Sequence, residues 1–441
     1  MNASPWRRRR LAAVGVAAVT ALAVATGCSA SNSEAGGKIT LTVDVFGNFG
    51  YSEAGLYKEF EKSHPNIKIK ERGTGMELSD YDDRLTQWLA AGSGAGDVVS
   101  LEEGILIRFK AQPKNFVNLF EHGADKLQGN FLTWKWQQGL SADGTQLIGL
   151  GTDVGSLAMC YRPDLFEQAG LPTDREQVGK LWPTWDKYVA TGEKFAAAGK
   201  AGKVKAKFLD SATNTYNAIL MQHAGQSTNQ TYFNQENEFV MASNPAVKQA
   251  WETTLKMVDS GLSANLRSFS DQWNTGFKSG AFATIACPAW MLGYIQGQAG
   301  DAGKGKWDVA TIPGGGGNWG GSFLAVPKQS KHPKEAAELV KFLTSPESQL
   351  KVFQALNNLP SSPKALDSPE LKDFTNEYFN NAPVGVIFGA GARELAPVYL
   401  GPKNQPVRDE VENALRAVEQ GQLAPGKAWD TAVANGGKVA S

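Results

Sequence analysis

The 441-residue chain is poor in the groups that carry most metal and redox chemistry, with three cysteines and four histidines. His64, His122, His223 and His332 are scattered, and no His/Cys/Asp cluster stands at metal-ligand spacing, so neither metal nor cofactor is expected. Net charge is lacking too, with 44 basic against 44 acidic residues, which leaves no electrostatic footprint for nucleic acid. "GGGG" at 314–317 lacks the Lys-Ser/Thr that completes a phosphate loop. Adjacent acids such as Asp82 and Asp83 diverge on a helix, whereas a glycosidase needs two carboxyls opposed across its sugar. Spacing alone does not test that opposition, so a sugar-cleaving enzyme stays open as a minor reading, and no catalytic residue is assigned.

Long apolar runs are absent except one. Leu11 to Ala25 is too short and too rich in small residues to span a bilayer, but after Arg7 to Arg10 it suits an export signal. It ends at Ala25-Thr26-Gly27-Cys28, followed by the polar "SASNSEAGG". This resembles a bacterial lipobox, with Ala25 where Leu or Val is usual, and implies a signal peptide at 1–27, lipidation of Cys28 and a tether at 28–37. A plain secretory signal with an unrelated cysteine is the competing reading. Cleavage would remove four arginines and leave about 414 residues, more than one core comfortably serves, so two domains are expected.

What remains is patterned. "ITLTVDVF" (39–46) alternates as a strand should, "GNFG" breaks it, and Ser52 is placed to cap a helix carrying Leu56 and Phe60 until Pro65. "IKIKE" reads as a strand, "YDDRLTQWLAAG" as a helix closed by Gly92, and "DVVSL" as a third strand. That order predicts crossover connections and a mainly parallel sheet. In "TQLIGLGTDVGSLAMCYR" two apolar runs join through Gly151-Thr152-Asp153 without a helix, as where a chain leaves one domain for another. Helices follow near 163–170, 185–199, 212–224, 245–260 and 271–279, then strands at 281–287, in "WDVATIP" and in "SFLAVP". Helices are expected at 333–344 and 346–356, and an interrupted one at about 406–435.

"YRPDLFEQAGLPT" with "WPTWDKY", and "GKWDVATIPGG" with "GGSFLAVPKQSKHPKEAAELVKFLTSPESQ" including Glu347 and Gln349, resemble the family 1 extracellular solute-binding proteins of sugar ABC transporters. "VFGNFGYSEAGLYKEFEKSHP", "GLGTDVGSLAMCYR" and "FATIACPAWMLGYI" look like the cello-oligosaccharide-binding lipoproteins of high-GC Gram-positive bacteria. The resemblance covers essentially the whole mature chain. It implies an α/β, two-lobed periplasmic-binding-protein-like fold (type II), with a ligand cleft between lobes joined by crossing strands. Lobe 1 would comprise 38–152 and 312–363, and lobe 2 153–311 and 364–441. It further implies a monomeric, lipid-anchored receptor at the outer face of the cell membrane. Such a receptor passes cellobiose or cellotriose to ABC permease subunits and needs no cofactor. Chitobiose, xylobiose and maltodextrin remain alternative ligands, and an adhesion or sensor module is a further class.

Sugar binding needs aromatic faces against pyranose C–H groups and planar polar side chains for hydroxyls. Trp290, after a strand and a Pro, is the leading candidate. Trp319 lies in "GGNWGG", where glycines supply no side chains to bury it, so exposure or coverage by ligand is expected. Asn48, Phe49 and Tyr51 occupy the first strand-to-helix loop, although Phe49 could instead be a hydrophobic staple. Glu102 and Glu103 follow "DVVSL" and could equally be solvated carboxylates. Asp153 falls at the inferred crossing. Asn214, Tyr216 and Asn217 stand at a helix start, where capping competes with ligand binding. Trp88, Trp251 and Trp273 read as core.

The family pattern puts the runs ending in Cys160 and Cys287 in lobe 2, as neighbours in its sheet. Outside the cytoplasm such a pair can oxidise and persist, so a Cys160–Cys287 disulfide is expected. Two separate buried thiols are the alternative.

Overall fold

The computed structural model describes residues 37–393 and 395–441. The signal peptide and tether expected at 1–27 and 28–37 fall, with Cys28, almost entirely outside the described residues.

Among the described residues, eleven strands form two sheets and a ribbon. They are β1 (Ile39–Asp44), β2 (Ile67–Arg72), β3 (Val98–Glu102), β4 (Gly149–Gly151), β5 (Asp153–Val154), β6 (Leu157–Tyr161), β7 (Lys207–Leu209), β8 (Phe282–Pro288), β9 (Asp308–Ala310), β10 (Ser322–Ala325) and β11 (Leu359–Pro360). The first sheet runs β2-β1-β3-β10-β4, the second β7-β8-β6-β9, and β5 pairs with β11. The expected parallel crossovers account for β2-β1-β3, but β10 enters antiparallel to both β3 and β4, so the sheet is mixed. That strand returns from a distant part of the chain and needs no crossover helix.

In β1, Leu41 and Val43 are fully buried, each worth about 1.5–3 kcal/mol relative to exposure. The helix after β1 begins at Leu56 instead of being capped by Ser52. Gly55 takes a left-handed φ of 73° and supplies the sharp entry. Gly92 closes the helix Leu78–Ala91 at φ 64°, as its position predicts. The C-terminal helical segment is two helices, Asn404–Glu419 and Pro425–Ala440.

The chain passes between the sheets three times: from β4 through β5 to β6, from β9 to β10, and through β11 after the helix Pro346–Leu356. These passages are stitched together. Thr152 N–H donates to Ser322 O at 2.9 Å. Gln349, buried, donates to Gly151 O at 3.5 Å and Thr344 O at 2.7 Å, and accepts from Ser361 and Ser362.

Cys160 and Cys287 are joined by a disulfide, with Cα atoms 5.5 Å apart. Cys160 stands opposite Ile285 and Cys287 opposite Ala158, so the bridge runs diagonally across the antiparallel β6–β8 pair. Both halves are fully buried in an apolar cluster with Trp273 and Phe277. Trp251 lies in the other core of that half of the molecule. Trp88 is partly buried beneath the Arg72 guanidinium.

Candidate functional site

The floor of the main cleft is built where β3 runs out. Val98 to Leu101 are buried, and Glu102 turns the chain into the helix Glu103–Lys110, its carboxylate accepting from Gly104 N–H at 2.6 Å. A carboxylate suits a helix N-terminus. Burial works against it, and with the adjacent Glu103 carboxylate pushes Glu102 up to about 7. The family resemblance implies a loop after "DVVSL", but Glu103 is instead the first helical residue. Its oxygens accept from Gln138 at 2.7 Å and Asn318 at 2.9 Å, and Asn318 in turn accepts from Gly155 N–H at 2.8 Å.

Opposite stand the helices Ala212–His223 and Asn404–Glu419. Asn217, Leu220, Met221, Tyr232 and Arg408 line a cleft together with Glu102, Glu103 and Trp319. Trp319 is only 8% exposed, contrary to the expectation from its glycine-rich surroundings. Gly320 and Gly321 both have positive φ and fold this segment back, and a Cβ at Gly155 would collide with the Trp319 carbonyl. Small residues thus let the crossing segments close over the indole. The Arg408 guanidinium lies 5.8 Å from the Trp319 ring centre. Glu412 accepts from both Arg408 Nε and Asn217 Nδ2 at 2.8 Å, which ties a cleft amide to a cleft cation.

Trp290 precedes the helix Met291–Ala299 and is partly buried. Its indole N–H donates to Trp319 O at 3.2 Å, and the two rings meet edge to face.

Phe49, Tyr51 and Asp153 are gathered at a second, smaller cavity with Thr152, Gln349 and Asn358. Asp153 Oδ1 accepts from Thr152 Oγ1 at 2.6 Å and Ser322 N–H at 3.0 Å, while the buried Tyr51 hydroxyl has no hydrogen-bond partner among the described residues. Asn48 is exposed and serves its own turn, accepting from Gly50 N–H and donating to Glu53. Asn214 and Tyr216 are buried within the Ala212–His223 helix, Asn214 donating to Ala286 O and Tyr216 hydrogen-bonded to Tyr232. The expected residues thus divide between two cavities, a turn and a helix interior, with Trp290 lining neither cavity but braced against Trp319.

Arg408 and Tyr232 were not anticipated. "PVRDEVENALRAVE" reads as an ordinary amphipathic helix with charges on its wet face, and nothing local marks Arg408. Among the described residues, no group of three or more His, Cys, Asp or Glu side chains is placed to hold a metal ion. No described helix is long and apolar enough to cross a membrane.

Residues 55–377 match the family described as bacterial extracellular solute-binding protein. The chain is 26% identical over 434 residues to the arabinooligosaccharide-binding protein of Bacillus subtilis (strain 168), covering 93% of this chain and 94% of that relative. It is 28% identical over 273 residues to the lactose-binding protein of Rhizobium radiobacter, covering 59% and 60% respectively. A crystal structure of an extracellular solute-binding protein family 1 member is 41% identical, with a TM-score of 0.78, covering 91% of this chain and 100% of that one. Two sheet-centred lobes, three connecting passages, a polar-aromatic cleft and these likenesses agree: the chain belongs to the bacterial extracellular solute-binding proteins.

Proposed function

We propose that this protein is the lipid-anchored receptor of a carbohydrate ABC importer, and that it captures cello-oligosaccharides, cellobiose or cellotriose, by closing its lobes over them. One observation carries the reading: Trp319 lies beside Glu102, Glu103, Asn217 and Arg408 in a cleft whose walls come from both sheet units, with Trp290 braced against it. Indole faces offer apolar area to a pyranose, and carboxylates, amide and guanidinium offer acceptors and donors for its hydroxyls. Covering one ring face removes ~50 Å² from water, roughly 1.3 kcal/mol. Several such contacts with hydrogen bonds reach the roughly −8 kcal/mol of a micromolar complex. The relatives named for arabinooligosaccharides and lactose support a saccharide of more than one unit, and their difference keeps the sugar type open. An arabinooligosaccharide is the second reading, favoured by the near-complete coverage of that relative.

A thermal-shift and calorimetric screen of cellobiose, cellotriose, arabinotriose, lactose, chitobiose, xylobiose and maltotriose decides among these, because tight ligands raise apparent stability by mass action. Cello-oligosaccharides are expected to give the largest shift. A larger shift with arabinotriose replaces the ligand. Cleavage of cellotriose during incubation would make the protein an enzyme, whereas a receptor returns the sugar intact.

A further inference from the structure

Lys135 lies in the short helix Thr133–Gly139 and is fully buried, yet its ammonium has no hydrogen-bond partner among the described residues. Its side chain runs where the three passages between the sheets meet. A Cβ on Gly151, in the first passage, would come within 2.7 Å of Lys135 Cγ and 3.1 Å of Ser361 Oγ, in the third. A Cβ on Gly321, in the second, would stand 2.9 Å from Lys135 Nζ and 2.7 Å from Asp153 O. Leu132 N–H, just ahead of the helix, donates to Ser361 O at 2.8 Å. The ammonium sits 4.1 Å from the Phe323 ring centre, which returns part of the solvation lost on burial.

A buried lysine without partners is costly unless opposite charge surrounds it. Glu103, on the wall of the larger cavity, and Asp153, on the wall of the smaller, are the principal charges acting on Lys135, followed by Glu102. Burial lowers the Lys135 pKa and these three carboxylates raise it. Burial likewise raises Glu103, and Lys135 is the strongest influence lowering it. Arg408, on the far wall, acts on Glu102 in the same sense. None of these carboxylates forms a direct ion pair with Lys135, so their oxygens keep lone pairs for other donors.

We infer that Lys135 is a positioning residue of the binding site: its ammonium, held at the junction of the three passages beside Asp153, is the counter-charge that holds Glu103 as a hydrogen-bond acceptor for a ligand's hydroxyls. The inference rests on the oligosaccharide reading only for its last clause. Without the ammonium, Glu103 would favour its protonated form further, and ionising it would cost more in the folded protein than in the unfolded chain. Lys135→Met should therefore lose more stability at pH 8 than at pH 5. Adding Glu103→Gln should remove most of that pH-dependent loss, which a purely steric role for the lysine would not do.

The experiment measures thermal stability at pH 5 and 8, without sugar, for wild type, Lys135→Met, Glu103→Gln and the double variant, then cellotriose affinity at pH 7. The expected result is a stability deficit of Lys135→Met that grows with pH, a double variant more stable than Lys135→Met at pH 8, and at least tenfold weaker binding by Lys135→Met. A double variant no more stable than the single one at pH 8, whether or not the single one folds, overturns the inference. If wild type binds none of the screened sugars, the oligosaccharide reading fails, while the sugar-free stabilities still decide the role of Lys135.

Discussion

The indole N–H of Trp290 donates to the backbone carbonyl of Trp319 at 3.2 Å, and the ring centres lie 6.1 Å apart at 68°. One tryptophan follows the end of β8, in the second sheet; the other stands three residues before β10, in the first. The contact joins the second sheet to the passage that returns the chain to the first, and it borders the cleft that holds Glu102, Glu103 and Arg408.

Trp290→Ala should raise the dissociation constant for the bound oligosaccharide at least tenfold, about 1.4 kcal/mol, by removing both the ring and the brace on Trp319. Calorimetric titration checks it. Ligand should also quench or shift the intrinsic indole fluorescence of wild type, and that response should shrink in the variant. Unaltered affinity with a large loss of stability would make Trp290 a packing residue only.

The raised Glu102 and Asp210 carboxylates predict a pH slope. Burial pushes each up to about 7, Glu102 with help from Glu103, and Asp210 despite hydrogen bonds from Trp273 and Ser211. Between roughly pH 4.5 and 7 the folded protein holds protons on these groups that the unfolded chain has released. Their contribution is therefore fully present at low pH and lost as pH rises through about 7. Glu102→Gln and Asp210→Asn should each flatten part of the slope in midpoint denaturant concentration against pH. An unchanged slope in both would mean that neither carboxyl titrates there.

The disulfide between Cys160 and Cys287 closes a loop across a sequence separation of 127. Chain entropy gives such a loop a ceiling of roughly 5 kcal/mol, with measured values often smaller. Reduction should lower the unfolding midpoint. Peptides containing Cys160 and Cys287 from unreduced, denatured protein should carry no alkylating label, and labelling of both would remove the bridge.

Cys28→Ser tests the anchor. Two acyl chains hold a protein stably at a membrane where one does not. The variant should appear in the culture medium, and unchanged membrane fractionation would count against lipidation.

Elements whose burial follows a local period were legible in the sequence. Leu41 and Val43 alternate and are fully buried, and the helices Pro333–Leu343 and Pro346–Leu356 lie where their periodicity puts them. What escaped depends on contacts made across long stretches of chain. "GGNWGG" reads as exposed or covered by ligand, but positive φ at Gly320 and Gly321 folds Trp319 under Trp290 and Arg408, so glycines that supply no cover themselves bring cover from elsewhere in the chain. Ser52 has the chemistry of a cap, but the left-handed Gly55 sets where the helix begins. Lys135 in "TWKWQQG" carries no local sign of burial, because the residues that bury it, Gly151, Gly321 and Phe323, belong to passages far along the chain. Where the candidate residues fall, at two cavities, a turn, a helix interior and the Trp290–Trp319 contact, depends on where the passages meet and carries no local sign.

In the proposed function the cleft between the two sheets receives an oligosaccharide against Trp319, with Trp290 bracing that residue. The most direct test is calorimetric titration of the mature protein and of a Trp290→Ala/Trp319→Ala variant with cellotriose. The account predicts micromolar or tighter binding to wild type and at least a tenfold loss in the variant. Equal affinity in the two proteins, or no heat from wild type with any of the screened oligosaccharides, would contradict it.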